Sequence, residues 1–123
     1  MIVGIGTDIV KIARFEGKAE NEKFMAKIFT ASEREYLMDK GVQSMAGLFA
    51  AKEAVVKAMG CGFKGFWPKD IEILHDDMGR PVAKLYGTAV SAVHESTVFH
   101  ISISHNETDA IAFAVAERNI KSL

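Results

Sequence analysis

Near its end the chain runs Ala110-Ile111-Ala112-Phe113-Ala114-Val115-Ala116, strict alternation of alanine with large apolar residues. Period-two alternation marks a strand, because successive side chains point to opposite faces of the sheet. Ile111, Phe113 and Val115 fall on one face and only alanines on the other. A face of methyl groups lets a helix lie close, and the long segment Ser44 to Met59 is the helix that fits. It is rich in Ala, Lys and Glu, all favourable in helices, and Gly60 and Gly62 stop it.

The remaining segments extend this plan. Met1 to Val10 is β-branched and apolar and reads as a buried strand. Lys11 to Lys18 reads as a short basic helix. Thr30 and Glu33 have capping-box spacing and open a helix that carries Tyr36 and Leu37 and ends near Gly41. Gly62 to Pro68, with Phe63, Phe66 and Trp67, reads as an aromatic-rich loop. Asp70 to His75 and Val82 to Leu85 are strands joined by a turn at Asp77-Met78-Gly79-Arg80-Pro81. Gly87 to His94 is a small helix. Val98 to His105 alternates with Phe99, Ile101, Ile103 and His105 on one side. The expectation is one α+β domain over residues 1–123, a mostly antiparallel sheet backed by a long helix.

At 123 residues, 49% hydrophobic and 25% charged, the chain has the composition of a globular domain. Its net charge of -1 gives no global electrostatic case for nucleic acid. The single cysteine, Cys61, forms no intrachain disulfide, and neither a signal segment nor a membrane span is apparent. The cytoplasm is the expected compartment. No Walker loop or dinucleotide fingerprint follows a strand, which argues against a kinase or NTPase. A nucleophile elbow is also lacking.

The chemistry-bearing residues lie in a few places. Lys52, Glu53 and Lys57 interrupt an otherwise apolar helix, with Glu53 and Lys57 one turn apart. Asp8 is either the N-cap of the helix that follows or a metal ligand emerging from a strand. Glu53 is either the partner of Lys57 in a surface ion pair or a second metal ligand. Two carboxylates suffice for magnesium when a substrate supplies phosphate oxygens. His105 and Ser104 end a strand where a turn would expose both. Arg80 beside proline is either a plain hairpin residue or a phosphate or base contact. Lys11, Arg14 and Lys18 recur at i, i+3 and i+7, a stripe that is either a solvated face or a landing site for an acidic helix. His75, His94 and His100 read as structural.

Three blocks stand in order: Gly4-Ile5-Gly6-Thr7-Asp8-Ile9-Val10 followed by Arg14-Phe15-Glu16; Phe49-Ala50-Ala51-Lys52-Glu53-Ala54 continuing to Lys57-Ala58-Met59-Gly60; and Ile101-Ser102-Ile103-Ser104-His105. Together with Phe29-Thr30, Glu33 and Gly79-Arg80-Pro81, they resemble the small class of 4′-phosphopantetheinyl transferases, the holo-acyl-carrier-protein synthase family. The resemblance spans nearly the whole chain. It implies transfer of the 4′-phosphopantetheine arm of coenzyme A to a serine of apo acyl carrier protein, releasing adenosine 3′,5′-bisphosphate, with magnesium required. It implies Asp8 and Glu53 as metal ligands and catalytic groups with Lys57. It also implies Lys52, Lys57, Ser104 and His105 at the coenzyme A phosphates, and Gly79, Arg80 and Pro81 near the adenine. Arg14, flanked in the stripe by Lys11 and Lys18, falls where the carrier's acidic helix is received. The assembly implied is a homotrimer with sites at subunit interfaces. One position departs: Leu48 stands where the family usually has a basic residue, which leaves a phosphate contact either missing or supplied from elsewhere. The competing reading is a non-catalytic module that binds coenzyme A or nucleotides, told apart by magnesium-dependent mass gain on an apo carrier. The sequence leaves open whether a water or a site carboxylate takes the serine proton.

Overall fold

The structure is a computed structural model that describes residues 1–62 and 65–119. In chain order it has strand β1 (Ile2–Lys11), helices α1 (Glu22–Ile28), α2 (Ala31–Leu37) and α3 (Val42–Met59), strands β2 (Ile71–His75) and β3 (Pro81–Leu85), a short helix α4 (Thr88–Ser91), and strands β4 (Thr97–His105) and β5 (Asp109–Arg118). The strands form two antiparallel sheets, a three-stranded sheet in the order β1-β5-β4 and the hairpin β2-β3.

Alanine alternation works as its spacing implies. Ala110, Ala112, Ala114 and Ala116 are buried, each at most 1% exposed, on the face that α3 covers. Residues paired across an antiparallel ladder share a face. Gly4 pairs with Ala116, Gly6 with Ala114, Asp8 with Ala112 and Val10 with Ala110, so this glycine-containing side of β1 also looks at α3. A Cβ on Gly6 would stand 2.8 Å from both Ala58 N and Lys57 Cβ, and closer still to the Ala54 carbonyl oxygen. At Gly4 it would meet the Ala58 carbonyl. The two glycines are there for close approach, bringing the helix backbone directly onto the strand.

The opposite face is apolar and uncovered. Ile5, Ile9, Ile111 and Phe113 lie on it and are 63%, 65%, 43% and 45% exposed. Among the described residues, no helix is long and apolar enough to cross a membrane.

Several elements differ from the sequence-based expectation. The basic helix over Lys11 to Lys18 does not form. Strand β1 continues to Lys11, a 3-10 turn takes Ile12–Phe15, and Gly17 in the left-handed region (φ 75) leads into a second 3-10 turn at Lys18–Glu20. Buried Ile12 and Phe15 win over the charge periodicity, since their burial stabilises more than an exposed stripe of lysines. Helix α1 was not anticipated, although Asn21 caps it by accepting a hydrogen bond from Phe24 N at 3.1 Å. The helix expected from Gly87 to His94 shrinks to the four residues of α4. Helix α2 starts with the expected capping box, Thr30 and Glu33 bonding each other's backbone N–H, and α3 stops at Gly60 in the left-handed region (φ 80). Phe63, part of the aromatic loop, lies outside the described residues.

Candidate active site at the junction of strand β1 and helix α3

Asp8 reaches the site because it shares the face of Gly6 and Val10, which α3 covers. It caps no helix, since the N-cap position of the turn that follows is Lys11. Its carboxylate Oδ1 lies 3.2 Å from Lys57 Nζ, and the same ammonium donates to the Thr7 carbonyl at 2.9 Å. The surface pair of Glu53 with Lys57 is not formed; Lys57 turns to β1 instead.

Glu53 is half-buried beside this pair. Burial, and after it the Asp8 charge, raise its pKa above the ordinary carboxylate value, while Lys57 and then Arg14 pull it down. Asp8, Glu53, Lys57 and Arg14 therefore share one electrostatic neighbourhood, though Asp8 and Glu53 are 45 residues apart in sequence. Arg14 stands over the rings of Phe49, at 5.2 Å, and Phe15, at 5.8 Å. These stacking contacts hold its guanidinium beside the carboxylates.

A divalent cation suits this donor set. The Asp8 charge disfavours ionisation of Glu53, and a bound positive charge would relieve that repulsion. Among the described residues no group of three or more His, Cys, Asp or Glu forms a complete cage. The remaining ligands of a hard cation would come from water and a phosphorylated substrate, as magnesium commonly accepts.

A second group of candidate residues gathers at the other end of α3. His105, Gly79 and Pro81 line a cavity of about 220 Å³ with Tyr36, Gln43, Ser44, Gly47, Leu48, His75 and Ile103. His105 and Asp8 point to the same face of the sheet, but two strands and two residues apart. Strand geometry separates their Cα atoms by roughly 12 Å. His75 stacks on Tyr36, ring centroids 4.1 Å apart and planes 9° apart. Burial, followed by the Lys40 charge, lowers its pKa below the ordinary histidine value. A wider groove of about 860 Å³, between Gly17 and the α2–α3 junction, contains none of the candidate residues.

Five expected site residues lie elsewhere. Lys52 is 0% exposed and bound to Glu33, also 0% exposed, at 2.7 Å, so its ammonium is not available to a phosphate. The reason is helical phase: Lys52 follows Ala51 and precedes Glu53 on α3 but points inward, toward α2 and β2. Ser104 lies on the outer face of β4, opposite to His105. Arg80 is exposed and pairs with Asp76 at 3.0 Å. Lys11, in a strand, and Lys18, its ammonium 5.6 Å from the Phe24 ring, share no helical face with Arg14.

Residues 4–116 match the model of the 4′-phosphopantetheinyl transferase superfamily. The chain belongs to this family. It is 43% identical over 122 residues to a holo-[acyl-carrier-protein] synthase of Clostridium tetani, covering 95% of this chain and 97% of that one. Among solved structures, a holo-(acyl-carrier-protein) synthase of Bacillus anthracis in complex with CoA (3′,5′-ADP) superposes with a TM-score of 0.80 at 38% identity, covering 97% of this chain and 99% of that chain. The corresponding synthase of Neisseria meningitidis gives 0.84 at 35% identity, covering 96% and 100%. The α+β fold is that of the phosphopantetheinyl transferases, and the chain is an enzyme of that class.

Proposed function

We propose that this chain transfers the 4′-phosphopantetheine arm of coenzyme A to a serine of apo acyl carrier protein, with Asp8 and Glu53 holding magnesium. What supports the metal site is that Asp8 sits on the face of β1 covered by α3, 3.2 Å from Lys57, which lies one turn beyond Glu53 on that helix. In the reaction the serine oxygen bonds to the β-phosphorus of the pyrophosphate. The bond from that phosphorus to the bridging oxygen breaks, and adenosine 3′,5′-bisphosphate leaves with the electron pair. The serine proton passes to a base. Magnesium, when bound, would neutralise the pyrophosphate and fix its orientation.

The chain's own groups supply the rest. Lys57 stands 3.2 Å from Asp8, close enough to hold that carboxylate in place and to meet charge growing on the phosphoryl oxygens. Arg14 adds positive charge where an acidic helix of the carrier would approach. His105, Gly79 and Pro81 line the cavity suited to the adenosine end of the donor.

The homotrimer of the proposal is supported by the uncovered apolar face of the three-stranded sheet, where Ile5, Ile9, Ile111 and Phe113 would meet copies of the same chain. In that assembly the donor spans two protomers, phosphates on one and adenosine on the next. A single transferase domain in the cytoplasm completes the reading, in keeping with one free thiol at Cys61.

The test is mass spectrometry of an apo acyl carrier protein incubated with coenzyme A and this protein, with and without chelator. A phosphopantetheine adduct that forms only with metal is the expected result. Coenzyme A binding without any adduct would replace the transferase by a binding module.

A further inference from the structure

Lys52 and Glu33 form the most enclosed ion pair among the described residues, and the proposed reaction uses neither. All three ammonium protons of Lys52 are committed: to Glu33 Oε1 at 2.7 Å, to the Ile71 carbonyl at 2.5 Å and to the Pro68 carbonyl at 3.1 Å. Glu33 in turn accepts from Thr30 N at 2.9 Å and from Ile73 N at 2.7 Å. Thr30 also donates through its hydroxyl to Glu72 at 2.5 Å, and Glu72 accepts from the Tyr86 hydroxyl at 2.7 Å. One side chain of α3 is thereby tied to the N-terminus of α2, to β2 and to the turn before it.

An ion pair so enclosed contributes little net stability, because desolvation of two charges offsets their attraction. Its geometric effect is larger. Helix α3 meets the sheet through glycine and alanine, surfaces with few protrusions to fix its rotation. Lys52 precedes Glu53 by about 100° around the helix. Five directed hydrogen bonds at Lys52 and Glu33 pin one side of α3. The backbone contact at Gly4 and Gly6 limits the other.

We infer that Lys52 and Glu33 are a positioning pair that sets the rotation of α3 and so holds Glu53 against Asp8 for the metal. The inference rests on the metal site proposed above and gives Lys52 a role without contact to coenzyme A. Partners that orient a metal ligand without touching the metal characteristically change affinity by about 10–100-fold when removed.

The experiment compares the unmodified protein with Lys52→Met and with the double variant Lys52→Met/Glu33→Leu. The double variant removes both charges of the pair together, so neither is left buried without the other, and it is the one expected to fold if the single variant does not. Mn²⁺ binding is read in the presence of coenzyme A from the loss of the free-ion electron paramagnetic resonance signal, alongside thermal melting and the KM for coenzyme A at saturating metal. The double variant is expected to melt cooperatively and to need about tenfold more Mn²⁺ for half-saturation, with KM at saturating metal changed less than about twofold. Unchanged Mn²⁺ binding overturns the inference. A raised KM at saturating metal with unchanged Mn²⁺ binding also overturns it and makes Lys52 a phosphate contact. Failure of both variants to fold overturns it by reducing the pair to a folding requirement. Absence of metal-dependent transfer by the unmodified protein sinks the transferase reading itself, whichever way the variants behave.

Discussion

Replacing Gly6 by alanine should lever α3 away from β1 and open the candidate site with it. The added Cβ would lie 2.8 Å from Lys57 Cβ and from Ala58 N. Carbon atoms rest about 3.5–4.0 Å apart, so the helix has to retreat by roughly 1 Å. The obstructing atoms include helix backbone, which cannot turn aside as a side chain can. Overpacking of this kind costs about 1–3 kcal/mol, and alanine returns roughly 0.5–1 kcal/mol through lower backbone entropy in the unfolded state. The net loss is about 2 kcal/mol at the upper end, a fall in Tm of roughly 8 °C for a domain of this size. Because Gly6 faces Ala54 and Lys57 and precedes Asp8 by two residues, the same displacement separates Asp8 from Glu53. A misplacement of about 1 Å costs on the order of 100-fold in rate. Gly47→Ala is the control. Its Cβ meets only the Ile103 Cγ2 methyl, at 3.0 Å, and helix propensity gains about 1 kcal/mol, so its melting temperature should stay near that of the unmodified protein. Calorimetry and the carrier-mass assay read both variants. Gly6→Ala melting and turning over like the unmodified protein would refute the close-contact argument.

Glu53→Ala and Asp8→Asn should each abolish metal-dependent transfer while leaving the melting transition cooperative; full activity in either at saturating magnesium removes that residue from the metal site. The raised pKa of Glu53 has two consequences of fixed sign. Metal binding needs the ionised carboxylate, so affinity should fall as pH drops through a value above 4.5. The stability linked to the protonated form should be lost as pH rises through the same window. Arg14→Met removes a charge that lowers this pKa, so the acid limb of a Mn²⁺-binding profile should move to higher pH; a shift the other way would place Arg14 outside the site. Lys57→Met should cut transfer strongly yet change stability by less than about 1 kcal/mol, since its side chain is 55% exposed. If donors span protomers, mixing inactive Glu53→Ala with a His105→Ala variant under subunit exchange should restore some activity, whereas no recovery would confine the site to one chain.

Periodicity alone determined the frame of this protein. Alternation in Ala110 to Ala116 set a strand with one face of methyl groups, and the Ala-, Lys- and Glu-rich run with its glycine stop set the helix to cover it. The capping box at Thr30 and Glu33 was equally plain, because the signal sits in residues three apart. Charge periodicity misled over Lys11 to Lys18, where buried Ile12 and Phe15 fixed the backbone as strand and turn. Which strand lies in the middle of the sheet, and hence that Asp8 faces α3 beside Glu53, followed only from the pairing of residues more than 100 apart. The burial of Lys52 was also decided by tertiary structure. Lysine reads as a surface charge in sequence, and only the distant carbonyls of Pro68 and Ile71, with the carboxylate of Glu33, make an interior site able to hold it.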